Sequence, residues 1–219
     1  MLEIDGLYIQ WMGHDGYRLR ASNKVIYIDP YKLSQEHNDK KDADLIFITH
    51  NHFDHLSIED IDNLINSNTK IICSYECVQP LLKKYDKNEI VPLGPKEKSV
   101  IEDILIEAVS AYNTNKSFHP KGDNKIGFIL NINNLKIYHT GDTDIIPEME
   151  GIDPDIAFVP VSGTYVMNAE EAAKAVNELI KPKRIAIPMH YNSIVGSIGD
   201  AETFCNKVNV CKTEILKAE

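Results

Sequence analysis

The chain has 219 residues, 43% of them hydrophobic and 26% charged, with 33 acidic against 23 basic side chains and a formal charge of −10. That length suits a single domain over residues 1–219, and the composition excludes a disordered or fibrous protein. The acidic excess is spread along the chain, which counts against a sequence-blind nucleic-acid binder needing a basic stripe, although a local basic patch is still compatible with it.

The first residues carry no basic and apolar leader, and nowhere do eighteen apolar residues run together, so a soluble cytoplasmic protein without a membrane partner is expected. Apolar residues then alternate: Leu7, Ile9 and Trp11, next Tyr17, Leu19 and Ala21, next Val25, Tyr27 and Asp29. With Gly13, Gly16 and Ser22-Asn23 as turn signals, this reads as an antiparallel meander. His14 follows Gly13; a lone histidine at a strand turn is usually structural, but it could also stand behind a site or face a substrate. Asp29-Pro30 closes the third strand, and residues 35–42 form an exposed polar loop.

Residues 44–48 are a short, β-branched apolar run typical of a buried strand, and they lead straight into Thr49-His50-Asn51-His52-Phe53-Asp54-His55. Imidazole nitrogens and carboxylate oxygens are the donors that Zn, Mn or Fe accept, so this stretch reads as a metal site. On an extended backbone His50 and His52 project to the same side. Asp54 and His55 fall on the turn into a helix over 58–65, opened by Ser57 with Asp60 three residues on.

Alternation of strand and helix continues: a strand at 70–73, a helix at 75–84, then strands at 89–91 and 103–109 around a Gly94-Pro95 turn. Residues 110–125 form a long irregular stretch holding Asn113 and His119, and loops of that length are more often functional than idle. Strands at 126–132 and 136–139 precede Thr140-Gly141-Asp142-Thr143, and a strand at 155–161 precedes Ser162-Gly163-Thr164-Tyr165. A helix opens at Asn168 with Glu171 as its partner and stops at Lys181-Pro182; a strand at 184–187 then runs into Pro188-Met189-His190-Tyr191. A helix at 200–206 and a strand near 210–216 complete the chain. Three strands thus deliver donors at their C-terminal ends, His50 with His52, Asp142, and His190, the usual address of a site in an α/β architecture. Cys73, Cys77, Cys205 and Cys211 have neither zinc-ribbon nor C-x-x-C spacing and read as free thiols.

The H-x-H-x-D-H loop, together with Asp29-Pro30, Tyr138-His139-Thr140-Gly141-Asp142-Thr143 and Ile187-Pro188-Met189-His190-Tyr191, resembles the motifs of metallo-β-lactamase superfamily hydrolases. The nearer resemblance is to the small branch related to ascorbate-phosphate lactonase. It implies an α/β fold, a four-layer αβ/βα sandwich of the metallo-β-lactamase type, with a dinuclear centre of two divalent metal ions, Zn or else Mn or Fe. Carried over, His50 and His52 resemble first-metal ligands, Asp54 and His55 second-metal ligands, Asp142 the bridging carboxylate and His190 the remaining second-metal ligand. The third first-metal ligand falls in the 110–125 loop, where Asn113 stands at the family's position. His119, six residues on, is the expected ligand, because an imidazole serves a borderline cation better than an amide oxygen.

The chemistry so implied is metal-dependent hydrolysis of a small ester, lactone or phosphoester, with Asp54 orienting or deprotonating water and His14 protonating the leaving oxygen. The alternatives are a nuclease or phosphodiesterase acting on RNA or cyclic nucleotides, and a non-catalytic metal-binding protein of the same fold. RNA-processing relatives usually carry a large inserted domain for which this length leaves no room. The expected partner is therefore a small-molecule substrate and not nucleic acid; homo-oligomerisation stays open.

Overall fold

The alternating N-terminal residues do build an antiparallel meander: β1 (Leu2–Ile4), β2 (Leu7–Gly13), β3 (Gly16–Ala21) and β4 (Lys24–Ile28) pair in sequence. This computed structural model describes residues 1–21 and 23–219; Ser22, half of the expected Ser22-Asn23 turn, lies outside the described residues. The chain divides into two compact units, the first comprising Met1–Leu93 with Leu216–Glu219 and the second Gly94–Ile215.

In the first unit the sheet changes from antiparallel to parallel at β4, which is followed by β5 (Leu45–Ile48), β6 (Lys70–Ser74) and β7 (Ile90–Leu93), giving seven strands in sequence order. All residues of β5 are buried, as expected of a parallel strand inside a sheet. Ile46, Ile48, Ile71 and Cys73 share a core with Ile61 and Leu64 of α1 (Ile58–Leu64) and Leu81 of α2 (Val78–Leu82). Each large side chain so buried contributes about 1.5–3 kcal/mol. Ser57 caps α1 by accepting from Asp60 N at 3.3 Å.

The expected helix over 75–84 is instead a 3₁₀ turn, Tyr75–Cys77, followed by α2. Pro80 is the reason: it lacks the N–H that a helix begun at Tyr75 would use there, whereas a start at Val78 places it harmlessly in the first turn.

The second unit repeats the design. β8 (Lys98–Ile101), β9 (Ile104–Ser110), β10 (Ile126–Ile132) and β11 (Leu135–His139) are antiparallel, then β12 (Ile156–Pro160), β13 (Ile185–Met189) and β14 (Lys212–Thr213) follow in parallel. β8 is absent from the sequence reading. Its hairpin with β9 turns through Glu102 and Asp103, both left-handed (φ 50° and 64°), a two-residue turn without the glycine that usually announces it. The C-terminal strand is shorter than expected. α3 (Ala169–Ala175) has the anticipated Asn168/Glu171 capping box and runs on as a π turn, Val176–Ile180, that closes on left-handed Lys181 (φ 46°). α4 (Ile198–Lys207) starts before the expected Asp200 because Ser197 and Asp200 form a capping box.

Cys73 and Cys77 are buried and Cys205 and Cys211 half-buried, all as free thiols. Among the described residues no helix is long and apolar enough to cross a membrane.

Candidate metal centre

In the first unit β5 ends at Ile48, so residues 49–55 turn rather than extend. His52 O accepts from His55 N at 3.0 Å and Leu56 N at 2.8 Å, and this turn, not a strand pleat, gathers the imidazoles. His50 Nε2 lies 3.0 Å from His52 Nδ1, and the His50 and His55 ring centroids are 3.9 Å apart. His14, Asp54 and His55 bring donor atoms within 4.8 Å of one another, with His14 Nε2 at 3.0 Å from Asp54 Oδ2.

Behind them sits Asp29, wholly buried just past β4 with a left-handed φ of 42°. It accepts from Thr49 N at 2.8 Å and Thr49 Oγ1 at 2.6 Å, and its Oδ2 is 2.8 Å from His55 Nδ1. Since the Thr49 hydroxyl proton goes to Asp29, the contact of 3.0 Å from Thr49 Oγ1 to His50 Nδ1 makes that imidazole the donor. His50 and His55 therefore carry a proton on Nδ1, which in the neutral ring leaves Nε2 as the metal-binding nitrogen.

In the second unit the donors come from three loops. Asp142 follows β11, His190 follows β13, and His119 lies on the loop from β9 to β10. Asp142 Oδ2 is 3.3 Å from His190 Nε2 and 3.5 Å from His119 Nε2, and all three residues are buried. Ser162 Oγ meets His190 Nδ1 at 2.8 Å, and Tyr165 O meets His119 Nδ1 at 3.2 Å. A carbonyl only accepts, so His119 donates through Nδ1 and turns a lone pair toward the Asp142 carboxylate. Two acceptors facing each other need a cation, or a proton, between them.

Asn113 plays another part in this loop. Its Nδ2 donates to Phe118 O at 2.9 Å and Tyr165 O at 2.7 Å, and its N donates to His119 O at 2.8 Å; Oδ1 is buried with no hydrogen-bond partner among the described residues.

These loops are tied together by groups that are not donors to the cluster. Asp144, 2% exposed, accepts from Thr114 N at 2.8 Å and Asn115 N at 3.3 Å and pairs with Lys116. Asp144 N donates to Tyr112 O at 3.0 Å, and Tyr112 N donates to Thr143 Oγ1 at 3.2 Å. Gly127 fits here because a Cβ would stand 2.5 Å from the carbonyl oxygens of His139 and Thr140. Burial holds the Tyr191 phenol up at about 12, so it stays neutral beside His190.

The model of the family described as "Beta-lactamase superfamily domain" matches residues 8–190. A UPF0173 metal-dependent hydrolase of Pyrococcus horikoshii is 32% identical over 209 residues, covering 90% of this chain and 89% of that protein. The chain belongs to the metallo-β-lactamase superfamily. A crystal structure of a protein assigned as a metal-dependent hydrolase from Parabacteroides distasonis matches this superfamily member with a TM-score of 0.83 at 32% identity, covering 97% of this chain and 94% of the other. Igni18, a metallo hydrolase from Ignicoccus hospitalis, shares the fold with a TM-score of 0.80 at 24% identity, over 97% and 95% of the two chains. The α/β architecture of two mixed sheets with helices is thus that of the metallo-β-lactamase fold.

The donor set of this superfamily member fits divalent metal ions. Nitrogen and carboxylate donors suit Zn, Mn or Fe, and metal-bound histidines characteristically give their other N–H to a carboxylate, carbonyl or similar oxygen, as His50, His55 and His119 do. The sequence reading missed Ser162, Asp144 and the Tyr165 carbonyl. Ser162 had one available signal, its place just beyond a strand end; Tyr165 acts through its main chain and had none.

Proposed function

We propose that this metal-dependent hydrolase of the metallo-β-lactamase fold cleaves a small ester, lactone or phosphoester with the help of two divalent ions. In this reading His50, His52 and His119 hold one ion, Asp54, His55 and His190 hold the other, and Asp142 serves both. The observation that carries it is the common hydrogen-bond direction of His50, His55 and His119, each committed through Nδ1 to an oxygen and each presenting Nε2. His119 is preferred to Asn113 because its Nε2 faces the same Asp142 oxygen as His190 Nε2.

Divalent ions bound by these residues would lower the pKa of water and polarise a carbonyl or phosphoryl oxygen. Asp54, with one carboxylate oxygen oriented by His14 at 3.0 Å, takes the proton as water attacks. His14 is 1% exposed, and its main-chain oxygen accepts from Trp11 Nε1 at 2.9 Å, so its left-handed turn (φ 48°) is held in place. The His14–Asp54 pair then keeps the proton until the leaving oxygen takes it. Phe53, between two proposed ligands in sequence, is 68% exposed and offers apolar surface to the organic part of a substrate.

The test is Asp54→Asn assayed on a panel of lactones, phosphodiesters and carboxylic esters. An amide keeps the shape but cannot take the proton, so turnover should fall by about 100-fold or more while the protein stays folded. Unchanged turnover with metal content verified would sink the assigned role.

A further inference from the structure

The second unit holds a half-open cavity of about 250 Å³ that the hydrolytic reading leaves unused. Lys96, Lys121 and Lys125 line it with Ser110 and Tyr112, and Glu148 is the acid among the lining residues. In a chain of net charge −10, three lysines around one cavity run against the general balance. Lys125 is only 4% exposed, with Nζ 3.6 Å from Asp123, and a lysine so deep carries a desolvation penalty that countercharge must offset. Glu148 is already engaged, by Tyr112 OH at 2.9 Å and Lys121 Nζ at 3.0 Å, and the Lys121 ammonium also lies 4.5 Å over the Tyr112 ring. Ammonium groups bind oxyanions by short, charge-assisted hydrogen bonds. At about 30 Å³ per water, the space equals roughly eight waters, enough for a phosphate or a small phosphorylated molecule.

We propose that this cavity is a binding site for a small phosphoryl anion, separate from the proposed metal ligands, and that its occupancy is linked to metal binding. The site stands by itself; only the linkage rests on the metal reading above. The link is built from the walls. Tyr112 is followed by Asn113, whose N donates to His119 O at 2.8 Å, and Tyr112 O accepts from Asp144 N at 3.0 Å, two residues past Asp142. Lys121 follows His119 by two residues. An anion that fixes Tyr112 and Lys121 therefore stiffens the segments presenting His119 and Asp142, and such coupling is reciprocal: the anion tightens the metal as much as the metal tightens the anion.

The experiment is a titration of ¹⁵N-labelled, zinc-loaded protein with inorganic phosphate, followed residue by residue by NMR, beside the rate of zinc loss to a chelator. Saturable shifts are expected at the Ala111, Tyr112, Lys121 and Lys125 amides, with slower zinc loss when phosphate is present. Lys121→Gln, at a largely exposed side chain, and Lys125→Met, which keeps the buried volume, should each weaken phosphate by about 10-fold or more and cancel its effect on zinc. Shifts confined to the proposed metal ligands and their sequence neighbours at 49–55, 142 and 190, or phosphate affinity in both variants unchanged from the parent protein, would overturn the site by showing that phosphate meets only the metals. Saturation at the cavity with zinc loss unchanged would overturn the linkage. None of these readouts uses substrate turnover, so failure here is distinguishable from failure of the hydrolase reading.

Discussion

Residues 49–55 place His50, His52, Asp54 and His55 on one turn at the end of β5, whereas Asp142, His119 and His190 come from three separate loops of the second sheet. The sheets are otherwise alike, each an antiparallel meander that turns parallel at its fourth strand. In the first unit a few local hydrogen bonds and one carboxylate behind them, Asp29, orient the donors. In the second unit orientation depends on residues that are not themselves donors: Asp144 holding residues 114–116, Asn113 reaching Tyr165 O, and Ser162 holding His190. A cluster made by one turn needs its local hydrogen bonds and a single backing carboxylate; a cluster made by three loops is fixed by the contacts among those loops.

The comparison can be broken most forcefully at Asp142. Asp142→Ala should lower metal content and turnover together by more than about 100-fold, beyond the range for an outer partner, because one carboxylate is assigned to both ions. Elemental analysis at limiting metal decides it, and retained stoichiometry would remove Asp142 from the ligand set. Next comes Asp29→Asn, predicted to weaken metal retention by about 10- to 100-fold, since an amide nitrogen cannot accept the protons that Thr49 Oγ1 and His55 Nδ1 give to Oδ2. If Asp29→Asn binds metal normally, the first cluster does not depend on its backing carboxylate.

His119→Ala should lower metal affinity by about 10-fold, with Asn113→Ala lowering it less and acting mainly through loop order. The reverse ranking would exchange their roles. The smallest effect is expected at Asp144→Ala: a few-fold loss of metal affinity, because the carboxylate acts only through loop order, together with faster amide exchange at Thr114 and Asn115. Faster exchange without any loss of affinity would show that the loops need no such tie.

The same contrast explains what could be read from the sequence. The first cluster is legible because its donors are contiguous and follow an obvious apolar strand. Asp142 and His190 are legible as polar residues at strand ends, within motifs matching the superfamily. The 110–125 loop has no periodicity, so choosing His119 over Asn113 rested on donor chemistry alone, and only the geometry around Asp142 gives that preference a structural basis. Ser162 is too common a residue to stand out. β8 went unseen because Lys98-Ser99-Val100-Ile101 alternates over only four residues and its turn, Glu102-Asp103, holds left-handed backbone without glycine. α2 begins later than the expected Tyr75 because Pro80 fits a helix only within its first turn.

The central claim is that two ions are held by each chain. Native mass spectrometry of metal-stripped protein titrated with Zn or Mn measures this directly. The account predicts two ions per chain at saturation, with Asp142→Ala impairing both; a plateau at one tightly held ion under either metal would contradict it.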